Sequence, residues 1–396
     1  MVAIIAFILP WQTRWLLQTP TIGTSRFEFG VVGIYVSAVA VLIWLCQEIW
    51  MARKEIFAWT HALTQEKKYA LGALGIFLAA QIIFSHARLL TIQFLLQVFL
   101  LIGFALVIYF RPTLKRAAAA GFLLAAVLQA LLGAVQVPTD VTFANKIMGI
   151  PLRQASTPGV AVVVANGIRH LRAYGGQPHP NVFGMFMLCA LLAYFWTLRT
   201  AASTQPVWQL AILLCSGLLL SFSRTAWAGF IIFVALAWYA RAKLSDRQKQ
   251  LLLTSAFTMA ALGIIFFPFI TGRLTANGAL EDKSLSERAT GIAEWKTVTR
   301  NNWIVGTGVG AYTTALTDVE GYNRVPVHDV PLLVFAEFGV IGMALFGFFA
   351  WKFWPKKVSL FVLILLPAAL FDHYLYSLWA GQVLVIFTLL FTLDVT

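Results

Sequence analysis

An imidazole and a carboxylate stand side by side at the start of a long apolar run, in the stretch NRVPVHDVPLLVFAEFGVIG (323–342). The carboxylate, Asp329, can cap a helix that has Pro331 in its first turn. His328 then lies near the positive end of the helix dipole, which favours a neutral imidazole that can accept a proton from a hydroxyl. This arrangement predicts a general base at His328, with packing at a membrane surface as the alternative. Glu337 lies on the opposite face of that helix, ~13 Å along its axis, and is predicted to be the buried partner of a cationic or hydroxyl side chain.

Two arginine-containing stretches could bind phosphate. In RHLRAYGGQPHPNVFG, a glycine pair and two prolines predict a turn before an apolar run. This turn would bring Arg172, Tyr174 and His179 to the membrane surface, where they could hold a phosphate and a sugar. In LLLSFSRTAWAGF, Arg224 stands alone between two apolar runs, where an arginine is costly unless it is paired or faces a water-filled cavity. Its planar guanidinium group suits phosphate oxygens. The alternatives are a loop that only caps the next helix and an arginine that snorkels to the membrane surface.

Three further stretches carry side chains that could contact a substrate. Arg288 and Trp295 are seven residues apart, so both lie near one face of a predicted helix and could present a cation and a ring to a diphosphate or a glycan. An ordinary surface ion pair of Arg288 is the alternative. In LFDHYLYSLW, Asp372 lies at the edge of a late apolar run and could orient a base or pair with an arginine. The glycine-rich GTGVG has no following Lys-Ser/Thr and no preceding strand, which predicts a tight turn rather than a nucleotide-binding loop.

Composition identifies the class of protein. Of the 396 residues, 60% are hydrophobic and only 11% are charged, against about 25% charged in soluble domains. Many apolar runs are long enough to cross a bilayer, which predicts an all-α polytopic membrane protein with the whole chain, 1–396, in a single integral membrane domain. Twelve spans are predicted, at 2–18, 29–51, 69–85, 89–110, 117–136, 182–198, 207–222, 226–240, 251–270, 332–353, 358–371 and 376–394.

The basic residues predict the orientation of these spans. The short loops rich in Lys and Arg all fall on one side of a twelve-span arrangement, which the positive-inside rule makes cytoplasmic, with both termini inside. Two long loops, 137–181 and 271–331, are then on the outer side of the cytoplasmic membrane, and neither shows strand patterning. Loop 137–181 holds four basic residues against one acid, Asp140, which predicts an anionic partner on that side. The net charge of +13 mostly reflects the inside rule and does not indicate nucleic acid.

Four segments together resemble a known family. The succession SFSRTAWAG, RATGIAEW, NNWIVGTGVGAY and HDVPLLVFAEFGVIG, at about 216–345, resembles the shared core of the O-antigen ligases and O-antigen polymerases, a superfamily that also includes bacterial O-linked oligosaccharyltransferases. Asp329 stands where the family often has Asn, and Trp303 replaces the usual Pro before the glycine cluster. The resemblance implies a lipid-embedded fold like that of the C-type glycosyltransferases, with the active site facing the periplasm or the outside.

The resemblance also implies a reaction. Such proteins transfer a glycan from undecaprenyl diphosphate to an acceptor hydroxyl, without a nucleotide sugar, a metal or another cofactor. By this resemblance, His328 matches the essential loop histidine, and Arg224 and Arg288 match the arginines proposed to grip the diphosphate. Arg172 fits a similar phosphate role. A single displacement would invert the anomeric configuration. The residues expected to support the site or contact the glycan are Tyr174, His179, Trp295, Tyr312, Asp329 and Asp372.

The acceptor stays open. A ligase delivers the glycan to lipid A core, a polymerase to another lipid-linked repeat, and an oligosaccharyltransferase to a Ser or Thr of a protein; the overall layout favours a ligase. A flippase or other transporter of lipid-linked glycans is an alternative from a different class, but the chain shows no related halves, and its polar residues collect on the outer side rather than at the midplane. No ligand spacing indicates a metal. The side chains that could supply metal ligands are His328, Asp329, Asp372 and His373.

Overall fold

A computed structural model describes residues 1–23, 25–199, 207–274, 279–317, 319–353 and 359–392, with side chains described except at 274, 279–285 and 322. Most of these residues are helical. The helices are α1 (Val2–Ile8), α2 (Val36–Met51), α3 (Arg53–Ala62), α4 (Gln65–Phe84), α5 (Arg88–Phe110), α6 (Thr113–Thr139), α7 (Pro180–Thr197), α8 (Trp208–Leu220), α9 (Arg224–Tyr239), α10 (Asp246–Ile265), α11 (Phe267–Leu274), α12 (Ala279–Asn302), α13 (Val330–Phe353), α14 (Leu366–Phe371), α15 (Tyr374–Ser377) and α16 (Trp379–Thr392).

Eight short strands form four antiparallel pairs: β1 with β4, β2 with β3, β5 with β6, and β7 with β8. Their bounds are β1 (Arg14–Gln18), β2 (Thr21–Ile22), β3 (Ser25–Arg26), β4 (Val32–Tyr35), β5 (Val141–Thr142), β6 (Arg153–Gln154), β7 (Val162–Ala165) and β8 (Ile168–Leu171).

The helices confirm an all-α polytopic membrane protein. Among the described residues, five helices are long and apolar enough to cross a bilayer by themselves: α4, α5, α6, α7 and α13. Two sharply bent pairs, α2 with α3 at 75° and α10 with α11 at 85°, could each be a further span. Helices α8, α9 and α16, and the segment Leu360–Phe371, are apolar but shorter. The other predicted spans stay a prediction, apart from the first, which the structure contradicts.

The predicted span 2–18 is wrong. Helix α1 ends at Ile8, and residues Arg14–Gln18 form a strand that pairs with β4. The reason is local, because Pro10 cannot continue the helix and the polar residues after it find partners outside a helix. Arg14, for example, donates to Glu28 at 2.8 Å. The predicted span 29–51 likewise becomes helical only from Val36.

Helix α7 forms the centre of the core. It is apolar around its whole circumference, which is typical of a helix surrounded by others. Its side chains are buried along almost its full length, and it packs against α6, α8, α9 and α16. Phe122 of α6 joins this core by stacking on Phe387 at 4.1 Å and meeting Phe186 edge-on at 4.9 Å. The close packing around α7 fixes the position of its N-terminus, which directly follows the first long loop.

The first long loop contains strands that the sequence analysis did not predict. Within 137–181, β7 and β8 form a hairpin whose turn residues, Asn166 and Gly167, both have positive φ. An Asn-Gly pair suits such a two-residue turn because both residues tolerate left-handed backbone. Val162 and its partner Leu171 are buried, together with Val163, so this part of the hairpin packs against the protein.

Helix α13 is broken near its middle. Gly339 has φ 62° and ψ −177°, and the break lets the GTGVG segment pack against the helix. Thr307 N–H donates to the carbonyl oxygen of Ala336 at 3.0 Å, and Gly308 N–H to that of Glu337 at 3.3 Å. The predicted tight turn in this segment is confirmed by the positive φ of Gly306, Gly308 and Gly310. At the other end, Asp329 caps the helix as predicted, because its Oδ1 accepts from Leu332 N–H at 2.8 Å.

Candidate active site

A cavity of about 880 Å³ collects charged and titratable side chains from distant parts of the chain. Its walls come from the β1–β4 region, the first long loop, the N-terminus of α7, the segment before α13 and the break between α14 and α15. The arginines in its lining outnumber the carboxylates. The lining arginines are Arg14, Arg26, Arg153, Arg169, Arg172, Arg273 and Arg288. The lining carboxylates are Glu28, Glu287, Glu337 and Asp372, and the lining imidazoles are His179, His328 and His373.

His328 and Asp372 face each other in this cavity. The Nδ1 of His328 lies 3.7 Å from Oδ1 of Asp372, which is an ion-pair distance slightly longer than a direct hydrogen bond. Asp372 occupies the break between α14 and α15, where its Oδ1 also accepts the backbone N–H of His373 at 2.8 Å. The carboxylate can therefore orient the imidazole so that the Nε2 lone pair is available to accept a proton.

A series of hydrogen bonds between side chains fixes the position of Asp372. Asn181, in the first turn of α7, donates from Nδ2 to Oδ2 of Asp372 at 2.8 Å. Its Oδ1 accepts from Nη2 of Arg172 at 2.7 Å, and Arg172 also donates from Nε to the carbonyl oxygen of Ser221 at 2.8 Å. Arg172 is only 3% exposed. The order Arg172, Asn181, Asp372, His328 thus links a buried cation to the half-buried imidazole.

The surroundings keep Asp372 ionised. Burial alone raises the pKa of a carboxyl group. Here the neighbouring imidazoles, above all that of His328, outweigh burial, so that the pKa of Asp372 lies well below its usual range. The carboxylate therefore carries its charge at neutral pH.

The other two imidazoles of the cavity are buried and neutral. Burial first, and then the charge of Arg172, lower the pKa of His179 to about 3. Its Nδ1 accepts from Asn181 N–H at 3.1 Å and so caps α7. Burial lowers the pKa of His373 to about 4, with Asp372 opposing the shift. The Nδ1 of His373 lies 2.6 Å from Oγ of Ser377. The side chain of His328, 29% exposed, is more accessible.

Two cavity arginines have unused donors. The Nε of Arg288 and the Nη1 of Arg153 are buried and have no hydrogen-bond partner among the residues that the structure describes. The remaining contacts of Arg153 are a donation to the carbonyl oxygen of Pro178 at 3.2 Å and packing over the Tyr174 ring at 4.6 Å. A buried donor without a partner is costly, so an anion entering the cavity would relieve that cost.

Several predicted site residues do not line the cavity. Arg224 begins α9, after the capping residue Ser223, and is absent from the lining. The ring of Tyr174 is covered by Arg153, and its hydroxyl accepts from Ala161 N–H at 2.9 Å. These contacts hold the Tyr174 ring within the first long loop, and its role in stacking on a sugar stays a prediction.

Trp295 and Tyr312 are likewise used in packing. Trp295 donates from Nε1 to the carbonyl oxygen of Leu332 at 2.8 Å and thereby joins α12 to α13. Tyr312 is 1% exposed, and neither ring lines the cavity. Asp329, the cap of α13, is also outside the lining. The aromatic side chains that do line the cavity are Phe29, Tyr35, Phe94, Tyr374, Tyr376 and Trp379.

Glu337 has the hydroxyl partner that was predicted. Its Oε2 accepts from the hydroxyl of Tyr376 at 2.5 Å and from Gly310 N–H at 2.6 Å. Its Oε1 accepts from Tyr312 N–H at 3.1 Å. One buried carboxylate thus joins α13, the glycine segment and α15, which are three elements of the cavity wall.

The cavity contains arginines that the sequence analysis did not assign to a site. Arg14 and Arg26 lie near opposite carboxylate oxygens of Glu28, at 2.8 and 3.4 Å. Arg14 had no predicted role because 2–18 was interpreted as a span, although an arginine inside that run was a signal against it. Arg273, at the end of α11, donates to the carbonyl oxygen of Phe222 at 3.3 Å and follows a bend that the sequence did not reveal.

Three groups at the base of the cavity could hold a metal ion. His328, Asp372 and His373 each offer a ligand atom, and these atoms all lie within 4.8 Å of one another. The sequence offered these three side chains, with Asp329, as possible metal ligands but no ligand spacing to support a site, and the fold shows which of them lie together.

Comparison with known proteins agrees with the resemblance seen in the sequence. Residues 209–347 match the family model described as O-antigen ligase. No curated protein and no solved structure matched the chain. The matched segment contains Arg224, Arg288 and His328, whereas Arg172 and Asp372 lie outside it. The match supports, over this segment of the chain, the resemblance to the O-antigen ligases and polymerases.

Proposed function

We propose that this protein transfers a glycan from undecaprenyl diphosphate to an acceptor hydroxyl, with inversion and without a metal cofactor, and that the acceptor is lipid A core. The observation that carries the proposal is the arrangement of His328 and Asp372 within a cavity rich in arginine. A base and a cationic surface in one cavity suit a reaction in which a hydroxyl attacks and an anion leaves.

His328 acts as the general base. The acceptor hydroxyl attacks the anomeric carbon while its proton passes to Nε2 of His328. Asp372 accepts a hydrogen bond from Nδ1–H and stabilises the imidazolium that forms. The gap of 3.7 Å is compatible with this role, because catalytic hydrogen bonds are often longer without substrate.

The arginines bind the leaving group. As the new bond forms, the bond between the anomeric carbon and the phosphate oxygen breaks, and its electron pair goes to the diphosphate. Arg288, with a buried Nε that has no partner among the described residues, can donate to a phosphate oxygen. Buried Arg172, which hydrogen-bonds Asn181 next to Asp372, adds a fixed positive charge. Charge stabilisation of this kind is strongest in a site from which water is excluded.

The location of the reaction follows from the proposed topology. The cavity lies on the side formed by the two long loops, which the distribution of basic residues places outside the cytoplasmic membrane. Arg224 begins α9 and does not line the cavity, so its role in binding the diphosphate stays part of the proposal.

Product analysis tests the proposed acceptor. Purified protein is supplied with undecaprenyl-diphosphate-linked oligosaccharide and lipid A core in the presence of EDTA. Glycan on lipid A core supports the ligase. Longer glycans that remain on the carrier would make the protein a polymerase, and glycan on a Ser or Thr of an added protein would make it an oligosaccharyltransferase. Movement of unaltered donor across a vesicle membrane, without transfer, would support the transporter instead.

A further inference from the structure

We propose that His328, Asp372 and His373 form a site for one divalent ion of the zinc type, and that an ion bound there blocks glycan transfer. The site itself rests on geometry alone. The inhibition rests on the proposed function, because it requires that His328 be the base. The ion is therefore an inhibitor of the enzyme and not a cofactor.

The three ligand atoms are close to the spacing that a zinc ion needs. Zinc binds imidazole nitrogen and carboxylate oxygen at about 2.0–2.2 Å, which places tetrahedral ligands roughly 3.3 Å from one another. Nδ1 of His328 and Oδ1 of Asp372 are already 3.7 Å apart, and all three ligand atoms lie within 4.8 Å. A contraction of up to about 1.5 Å would complete the set, and movement of the partly exposed His328 can supply part of it. The open cavity leaves a fourth position for water.

The ligand types select the class of ion. Two imidazoles and one carboxylate suit Zn²⁺, Co²⁺ or Ni²⁺, whereas Mg²⁺ and Ca²⁺ prefer oxygen ligands alone. The surrounding arginines repel a cation. We therefore expect reversible binding, weaker than that of a structural zinc site.

Outer hydrogen bonds already orient two of the ligands. Asn181 fixes the carboxylate of Asp372. The Ser377 hydroxyl, which has one proton, donates to the carbonyl oxygen of His373 at 3.1 Å. The contact of 2.6 Å between Ser377 Oγ and His373 Nδ1 is then a donation from Nδ1–H, which leaves Nε2 with its lone pair. Partners of this kind are typical of metal-binding histidines.

Metal binding would remove the base. An ion on Nδ1 of His328 confines the imidazole proton to Nε2, the nitrogen that would have to accept the acceptor proton. The same ion binds the carboxylate of Asp372, which then no longer accepts a hydrogen bond from His328. Transfer should therefore fall as the site fills and recover when EDTA removes the ion.

Direct binding tests the site without any assay of transfer. Tag-free protein in detergent is titrated with Co²⁺, followed by its visible absorption, and with Zn²⁺, followed by calorimetry. We expect one ion per chain, binding weakened more than tenfold by His373→Ala, and a loss of about 10–100-fold in Ser377→Ala. His170→Ala is the matched control, because His170 lies 3.3 Å from Asp140 in a pair outside the cavity, and it should bind normally. No binding, or binding that His373→Ala leaves unchanged, would overturn the site.

A second measurement tests the inhibition. Transfer by the wild-type protein is measured with increasing Zn²⁺ and then with EDTA. Reversible loss over the concentration range of binding supports the proposal. Full transfer with the site occupied would overturn the inhibition and the role of His328 as base. A wild-type protein that transfers no glycan even in EDTA would contradict the proposed function, while the titrations would still decide whether the site exists.

Discussion

Asp372 and His328 come from different helix boundaries, and their individual contributions can be separated by substitution. Asp372→Asn keeps the shape of the side chain and removes the charge that orients and stabilises the imidazole. We expect kcat for transfer to fall about 10²–10⁴-fold with little change in the KM of the donor, because the loss is confined to the transition state. Steady-state kinetics in detergent measures this. A kcat equal to that of wild type, or of the exposed control Asp246→Asn, would exclude Asp372 from the mechanism.

The buried histidines predict a dependence of stability on pH. The pKa of His179 falls from an ordinary value of about 6.5 to about 3 on folding, so below pH 6.5 the unfolded chain binds a proton that the folded chain does not. Its contribution to stability is complete above about pH 6.5 and is lost as the pH falls toward 3. His373, at about 4, acts in the same direction. Melting temperature should therefore decrease from pH 7.5 to 4.5.

His179→Asn tests this linkage. Asparagine does not titrate and is a good helix cap, so it should replace the hydrogen bond to Asn181 N–H. We expect a smaller decrease of melting temperature with falling pH than in the wild-type protein. Equal slopes for the two proteins would show that His179 does not contribute.

At the scale of elements, the sequence predicts the long apolar helices more accurately than the short paired strands. The apolar runs of α4, α5, α6, α7 and α13 are continuous, so their length alone indicates a span. Strand β1 depends on pairing with β4 across a loop, and its sequence, RWLLQ, continues an apolar run that begins at Val2. The β7–β8 hairpin was detectable in principle from Asn-Gly between VVVA and IRHL, but it was obscured by the polar loop around it.

The break in α13 supports the cavity wall and can be tested with two glycines of one helix. A side chain at Gly339 would occupy a backbone region open essentially only to glycine and would collide with the carbonyl oxygen of Ile304. We expect Gly339→Ala to lower stability by at least about 1–3 kcal/mol. Gly347→Ala, in open space on the same helix, should be neutral or slightly stabilising. Thermal unfolding in detergent distinguishes them, and equal effects would contradict the role of the break.

At the scale of the whole molecule, part of the site could be predicted from the sequence, because several of the short motifs contribute residues to the wall of the same cavity. His328, Arg172, Arg288, His179 and Asp372 were each predicted from their neighbours in sequence, and all line one cavity. The chain of contacts from Arg172 to His328 was not predictable, since it joins α7 to two other helix boundaries. Tyr174, Trp295 and Tyr312, for which contacts with sugars were predicted, do not line the cavity, and no local pattern reveals the packing that holds them.

The proposed topology places the cavity outside the cytoplasmic membrane, and thiol labelling tests that placement. Cys46, Cys189 and Cys215 are first replaced, because Cys46 is exposed. In intact cells, an impermeant thiol reagent should label Thr157→Cys, in the first long loop, but not Lys243→Cys, between α9 and α10. Both positions are exposed, so accessibility in permeabilised cells serves as the control. The reverse pattern would place the cavity in the cytoplasm and exclude a periplasmic reaction.

The most direct test of the central claim is glycan transfer by His328→Ala. Wild type, His328→Ala and the control His86→Ala, a histidine outside the cavity that contacts Asn302, are compared with lipid-linked oligosaccharide and acceptor at equal folded concentration. We predict that His328→Ala retains donor binding but loses transfer by about 10²-fold or more, while His86→Ala transfers normally. Undiminished transfer by a stably folded His328→Ala protein would show that this histidine is not the base.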